Sequence, residues 1–373
     1  MTRHKVDGAK IAAEVLAGLK GFQRKTVEHV FRRMYDDPDP ATRFLVADEV
    51  GLGKTLVARG LIAKVIQRLQ ELRVRRIDVL YICSNADIAR QNIQRLNVSG
   101  QSDFAMASRI TLLPLELHQL NANGLNFISF TPSTSFSMAS RGGVSRERAL
   151  LFQLLKRLLG AEALEQDGAY QLLTGDKDLN RFRDEVAWVG TMPLDEGLVQ
   201  AFERELQAQP ELVRRFQGMV QLMQAPDAAL YVNERWNMIL DLRKALARGC
   251  IEALEPDLVI LDEFQRFKEL LHEPDPDNPD DIRGLVHHLF SQKDVRVLLL
   301  SATPYKMYTL SDESDDDHYR DFLQTARFLM SKENAAAFAG ELRECRRGMV
   351  DFEVSGEAGL LRRKRAVEKR LRQ

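Results

Sequence analysis

The chain has 373 residues, 53 Lys or Arg against 54 Asp or Glu, and 45% hydrophobic residues, enough for a sizeable core and more than one average domain. A net charge of −1 excludes a chain that is basic throughout, so any nucleic-acid surface must be a local patch. Its three cysteines (Cys83, Cys250 and Cys345) lie far apart without CxxC or CxxH spacing, and no apolar run reaches membrane length, which excludes disulfide, metal-finger and bilayer-spanning classes.

In chain order, the apolar spacing of Val15, Leu16, Leu19, Phe22, Val27, Val30 and Phe31 predicts a helix over Ile11–Met34, ended by the Asp- and Pro-rich stretch that starts at Asp36. Arg43–Ala47 reads as a short buried strand. A glycine loop follows it, and Lys54–Leu72 then carries apolar residues at helical spacing. Further strands are expected at Ile77–Cys83, Arg109–Leu113, Phe127–Phe130, Leu258–Leu261 and Val295–Leu300, with helical segments between most of them. Such alternation predicts a parallel sheet covered on both faces. Four amphipathic segments, Arg146–Leu159, Gly197–Gln207, Glu211–Gln224 and Asn233–Leu254, interrupt the rhythm and read as a helical insertion. The acidic stretches 273–281 and 311–317 are expected to be solvated loops, and His287 and His288 to lie on a helix where neighbours diverge. After Met330 the chain is helical and basic. No apolar leader opens it at Met1, so a cytoplasmic location is expected.

Asp48-Glu49-Val50-Gly51-Leu52-Gly53-Lys54-Thr55 has the GxGK[ST] core of a phosphate-binding loop, with Asp48 where the general pattern has glycine. Gly51 and Gly53 let the backbone curl until its N–H groups face phosphate oxygens. Lys54 is placed to reach the β- and γ-phosphates of ATP, and Thr55 to offer a hydroxyl to Mg²⁺. A glycine turn before an ordinary helix carries similar letters, so the strand–loop–helix context decides. Pro256–Gln265 is an apolar strand ending in Asp262 and Glu263. That pattern suits a carboxylate holding Mg²⁺ (Asp262) beside one activating the attacking water (Glu263). Val297–Pro304 is another buried strand, ending in Ser301-Ala302-Thr303, whose hydroxyls can bond the Asp262–Glu263 turn.

Together, Ala47–Thr55, Asp262-Glu263-Phe264-Gln265 and Ser301-Ala302-Thr303-Pro304 resemble motifs I, II and III of superfamily 2 helicases, and most closely the Swi/Snf-like translocases and their bacterial relatives. The resemblance covers roughly Leu19–Met307 outside the insertion. It implies an α/β, RecA-like P-loop NTPase lobe formed by residues 1–136 and 251–330, a helical insertion at 137–250, and a basic helical linker at 331–373. The insertion is longer than the family carries at that place. Gln23 falls at the position of an adenine-reading glutamine, Ser84 and Asn85 at motif Ia, and Thr131 at a motif that touches the nucleic-acid backbone. Lys54 and Glu263 become the catalytic residues, and Gln265, Ser301, Ala302 and Thr303 the coupling ones. The resemblance further implies ATP and Mg²⁺ as cofactors and double-stranded DNA as the favoured partner. It also implies a second RecA-like lobe, in cis or in trans, without which turnover is expected to be weak. No second α/β series follows in this sequence, so the chain is expected to be cut at the lobe boundary. The alternative reading is a nucleotide-gated DNA-binding module that recruits an effector protein in a bacterial defence or repair complex without needing turnover.

Overall fold

A computed structural model describes residues 7–47, 51–98, 104–117, 120, 123–138, 140–164, 167–272, 282–292, 294–301, 317–350 and 352–371. Asp48, Glu49, Val50, Ala302, Thr303 and the acidic stretches 273–281 and 311–316 lie outside the described residues. The chain divides into two compact units, Met1–Ala302 and Thr303–Gln373.

The first unit opens with α1 (Gly8–Ala17) and α2 (Gly21–Phe31), where one helix was expected. Gly18 caps α1, and Gln23 closes a capping box on Lys20, so α2 starts afresh. The chain leaves α2 through a π-helical turn, Arg32–Asp36. Then come β1 (Arg43–Ala47), α3 (Lys54–Glu71), β2 (Ile77–Cys83), α4 (Ala86–Leu96) and β3 (Phe104–Met106). The strand expected at Arg109–Leu113 is instead a 3-10 turn, Ile110–Leu112, running into the short α5 (Leu113–Glu116). Pro114 stands in the first turn of α5, where it lacks no needed N–H, and it disfavours a central strand there.

After β4 (Leu125–Phe130) and α6 (Pro132–Ser135) the helical insertion begins. Its helices are α7 (Ser145–Leu159), α8 (Ala161–Leu164), α9 (Asp167–Thr174), α10 (Leu179–Gly190), α11 (Glu196–Gln207), α12 (Pro210–Leu222) and α13 (Val232–Ala253). The chain returns to the sheet at β5 (Leu258–Asp262), makes a 3-10 segment (Phe264–Leu271) and α14 (Ile282–Phe290), and adds β6 (Arg296–Ser301). His287 and His288 do fall on α14.

The six strands pair in parallel in the order β1-β6-β5-β2-β4-β3. The expected fold class, α/β with a parallel sheet flanked by helices and a helical insertion, is what the chain adopts. Every residue of β2 and β5 is buried, as central strands covered on both faces require. Side chains alternate, so Ile77, Val79, Tyr81 and Cys83 of β2 share one face with Leu258 and Ile260 of β5 and Leu298 and Leu300 of β6. That face packs against Ala58–Ile66 of α3, Val30 and Phe31 of α2, and Ala89 and Ile93 of α4.

The second unit differs from the expected boundary at residue 330. Its helices α15 (Asp317–Leu329), α16 (Lys332–Val350) and α17 (Phe352–Leu371) share one core of Ala326, Phe338, Leu342, Cys345 and Val367. The reason is Phe322 and Ala326, which pack inward on α16 and draw α15 into this unit. Arg370, in the basic stretch, grips Glu341 of α16 through two bonds of 2.9 and 2.6 Å. Among the described residues no helix is long and apolar enough to cross a membrane.

Candidate functional site

Parallel pairing brings the C-terminal ends of the strands to one edge. Ala47 is in register with Ser301, Leu300 with Asp262, Asp262 with Cys83, and Ile82 with Phe130. Strand β6 stands between β1 and β5, so the chain leaving Ala47 starts two strand spacings, about 10 Å, from Asp262. Every motif singled out in the sequence therefore opens onto the same edge.

Residues 51–53, the described part of the loop between β1 and α3, have the backbone their sequence demands. Gly51 and Gly53 sit at φ +89° and +83°, a region closed to most side chains, and α3 begins directly afterwards at Lys54. Gly53 is needed for a second reason: a Cβ there would lie 2.5 Å from Gln23 Nε2. That amide is buried. Its Oε1 accepts from the Lys20 N–H at 3.0 Å, and its Nε2 donates to the Leu52 carbonyl at 3.0 Å. Gln23 thus ties α2 to the glycine loop.

Asp262 ends β5 on the face shared with Tyr81, and it is 8% exposed. Both of its side-chain hydrogen-bond partners converge on one oxygen. The Tyr81 hydroxyl and Asn92 Nδ2 donate to Oδ2, the latter at 3.3 Å, and Asn92 also donates to the Tyr81 oxygen at 2.9 Å. Burial raises the Asp262 carboxyl above the usual carboxylate range. The Tyr81 bond pulls it back, Glu263 pushes it up again, and the charge of Lys54 lowers it across the edge. Burial and the neighbouring carboxylate drive the Tyr81 hydroxyl far up, so it keeps its proton and donates.

Glu263 adopts a left-handed backbone, φ +51° and ψ +41°, at the turn into the 3-10 segment. A non-glycine residue held there costs about 1–3 kcal/mol, a strain that clusters at functional sites. Arg266 Nε lies 3.2 Å from Glu263 Oε2 as an ion pair, yet that buried oxygen has no aligned hydrogen-bond donor. Two residues further on, Gln265 Nε2 donates to Ser301 Oγ, joining the ends of β5 and β6. The bond comes from Gln265, whereas the sequence pointed to a hydroxyl bonding the Asp262–Glu263 turn itself.

The remaining candidates are held differently. The Asn85 side chain caps α4, accepting from the N–H groups of Asp87 and Ile88 at 2.8 and 3.3 Å. Thr131 opens α6: its N–H donates to Ser135 Oγ at 2.9 Å, and its carbonyl accepts from Thr134 Oγ1 at 3.3 Å. Both residues thus perform local helix-start work. The buried Ser84 Oγ lacks a hydrogen-bond partner at the same edge. Tyr81 and Asn92 did not emerge from the motifs. The one available signal was a hydroxyl in the otherwise apolar run Val79–Cys83.

The donor set suits Mg²⁺ bound with nucleotide phosphates, since this ion takes one or two carboxylates and a hydroxyl and keeps its waters. A buried carboxylate at Asp262, a carboxylate oxygen without a hydrogen-bond donor at Glu263 and a hydroxyl at Thr55 provide for that. Among the described residues no cluster of three His, Cys, Asp or Glu forms an all-protein metal cage. No protein-family profile, curated protein or solved structure matches the chain.

Proposed function

We propose that the chain binds Mg-ATP at the C-terminal edge of its sheet and serves as the ATP-hydrolysing lobe of a translocase on double-stranded DNA. The observation that carries the reading is the convergence at one edge of the glycine loop with Lys54, the buried Asp262 and the Gln265–Ser301 contact. Loop N–H groups and the α3 N-terminus favour the phosphates, and Lys54 adds its ammonium. Asp262 and Thr55 would hold Mg²⁺, which supplies charge neutralisation on the phosphate oxygens. Glu263 accepts a proton from the attacking water, and Gln265 passes the state of that turn to Ser301 and β6. Gln23 would read adenine beside the loop it already touches. Asp48, Glu49 and Val50 belong to the same loop in this reading, and Ala302 and Thr303 to the coupling strand end. Ser84, Asn85 and Thr131 stand at the edge where a DNA backbone would pass. A second RecA-like lobe, in cis or in trans, would close over the nucleotide.

The test is ATP hydrolysis with Mg²⁺, with and without double-stranded DNA, against Lys54→Ala. The expected result is Lys54-dependent ATP binding, with turnover that rises when DNA and a partner lobe are supplied. ATP binding that is indifferent to Lys54→Ala would sink the reading.

Tyr81 follows as a positioning residue for Asp262. Tyr81→Phe keeps the ring in the core and removes the hydroxyl's bonds to Asp262 Oδ2 and Asn92 Nδ2. It is expected to raise the Mg²⁺ concentration for half-maximal nucleotide binding by about 10-fold, the scale of outer-shell substitutions at metal sites. Thermal melting without nucleotide should barely move. An unchanged Mg²⁺ requirement would show that the hydroxyl only fills the core.

A further inference from the structure

We propose that a cavity in the insertion, at the start of α7, binds phosphate groups of a nucleic-acid strand. The identity of the ligand rests on the translocase reading, whereas the site does not. The cavity encloses about 830 Å³, more than one phosphate needs, and none of its lining residues belongs to the nucleotide loop.

Its lining charge is positive: Arg141, Arg148 and Lys177 stand against one carboxylate, Asp176. Arg148 is the fixed element, 5% exposed. Its guanidinium donates to the carbonyls of Leu173 at 2.8 Å, Gly142 at 2.7 Å and Thr174 at 3.0 Å. These acceptors orient the group without cancelling its charge. Burial lowers its pKa, and the fields of Glu147, Asp176 and Glu185 restore part of it. The buried Glu147 cannot neutralise it alone, since it is paired with Arg243 at 3.0 Å and lies 3.9 Å from Arg109. A surplus of buried positive charge therefore sits behind the cavity wall, where an anion entering from solvent offsets it.

Arg141 and Lys177 form the outer rim. Arg141 is exposed, and Lys177 shares its charge with Glu185 at 3.0 Å while its side chain stays 49% exposed. Ser145 opens the 15-residue α7 at the cavity, adding the positive end of that helix. One wall is the indole of Trp236, packed so closely on the chain that a Cβ at Gly142 would come within 2.4 Å of it. Cationic rim, buried guanidinium and apolar wall match a phosphodiester backbone with its sugars better than a compact inorganic anion. The fold supplies the route: the chain leaves the sheet's C-terminal edge at Phe130, turns through Thr131 and α6, and reaches the rim at Ser140.

The test uses the full chain carrying Trp188→Phe, so that Trp236 is the one remaining tryptophan. A short single-stranded oligonucleotide, the matching duplex, a nucleoside monophosphate and inorganic phosphate are each titrated, with and without Lys54→Ala. Trp236 emission is expected to change with an oligonucleotide, to the same extent when Lys54 is replaced. Arg141→Ala and Lys177→Ala should each weaken binding at least about 5-fold and flatten the salt dependence by about one unit of slope. Binding that ignores both substitutions, or no signal with any probe, overturns the site. Saturation by inorganic phosphate or the monophosphate, with no response to oligonucleotide, overturns the nucleic-acid assignment. If oligonucleotide binds as stated while Lys54→Ala leaves ATP binding intact, the cavity stands and the motor reading falls.

Discussion

Glu263→Gln should leave ATP binding intact and lower hydrolysis by about 10²–10⁴-fold, the range of a positioned general base. The substitution is isosteric, so its readout is chemical. The left-handed backbone at Glu263 is imposed by the turn between β5 and the 3-10 segment, and glutamine can occupy it as glutamate does. What changes is the capacity of the side chain to take a proton. In the structure this carboxylate has an ion-pair neighbour in Arg266 at 3.2 Å and a buried oxygen without an aligned donor, which leaves it able to accept. Single-turnover hydrolysis and equilibrium binding of ATP, measured on the same preparation, separate the two effects. The variant also divides the motor from a recruitment module gated by nucleotide. A motor loses DNA-stimulated movement with its turnover, whereas a recruiting module keeps ATP-dependent DNA and effector binding. If hydrolysis survives the substitution, Glu263 is not the base, and the strain at its backbone serves the turn alone.

The sheet was legible because its signals are short-range. Leu258–Leu261 is apolar throughout and Val79–Cys83 is so but for the Tyr81 hydroxyl, a pattern that suits a strand buried on both faces, and each ends where polar residues begin. The glycine loop was legible for a similar reason, since φ near +85° at two alternate positions leaves glycine as the ready choice. Helix ends were harder. Nothing in the apolar spacing of Ile11–Met34 marks the break at Gly18–Lys20, because the stripe continues in phase on both sides. The break depends on the Gln23 capping bond, which also reaches the loop at Leu52. By contrast α10 was legible and went unread, since Leu179, Phe182, Val186 and Val189 recur at helical spacing, while α9 offers only the short run Ala169, Leu172 and Leu173.

The parts of the site that the motifs did not reveal are those built between elements distant in sequence. Tyr81, Asn92 and Asp262 meet only because β2 and β5 are adjacent and α4 covers the face they share. No spacing within one segment encodes that meeting. Asn85 and Thr131 show the converse. Their place at strand ends was legible, but Asn85 spends its side chain capping α4, and Thr131 is tied to the start of α6 through its backbone N–H and carbonyl.

The largest stability effect is expected at Arg243, in α13 and fully buried. Its guanidinium donates to Glu147 Oε1 at 3.0 and 3.3 Å, to the Ser140 carbonyl at 2.6 Å, and to those of Ser137 and Arg141 at 3.3 and 3.4 Å. Glu147 in turn accepts from Thr111 Oγ1 and from the Val144 N–H at 2.6 Å. Arg243→Ala would strand a buried carboxylate and three carbonyls, a loss of about 3–5 kcal/mol. Denaturant unfolding followed through Trp236 should report it, because that residue sits one side of the same turn. Adding Glu147→Gln should recover part of the loss, since the amide still accepts from Val144 without carrying a charge. Equal costs for the single and double variants would mean that the carbonyls, not the carboxylate, set the penalty. An apolar residue at position 243 would pack at less electrostatic cost, but it could not satisfy the carbonyls of Ser137, Ser140 and Arg141. That turn carries the chain from α6 to α7 outside regular secondary structure, so its carbonyls need donors from a neighbour, and only a guanidinium spans three of them while answering Glu147 as well.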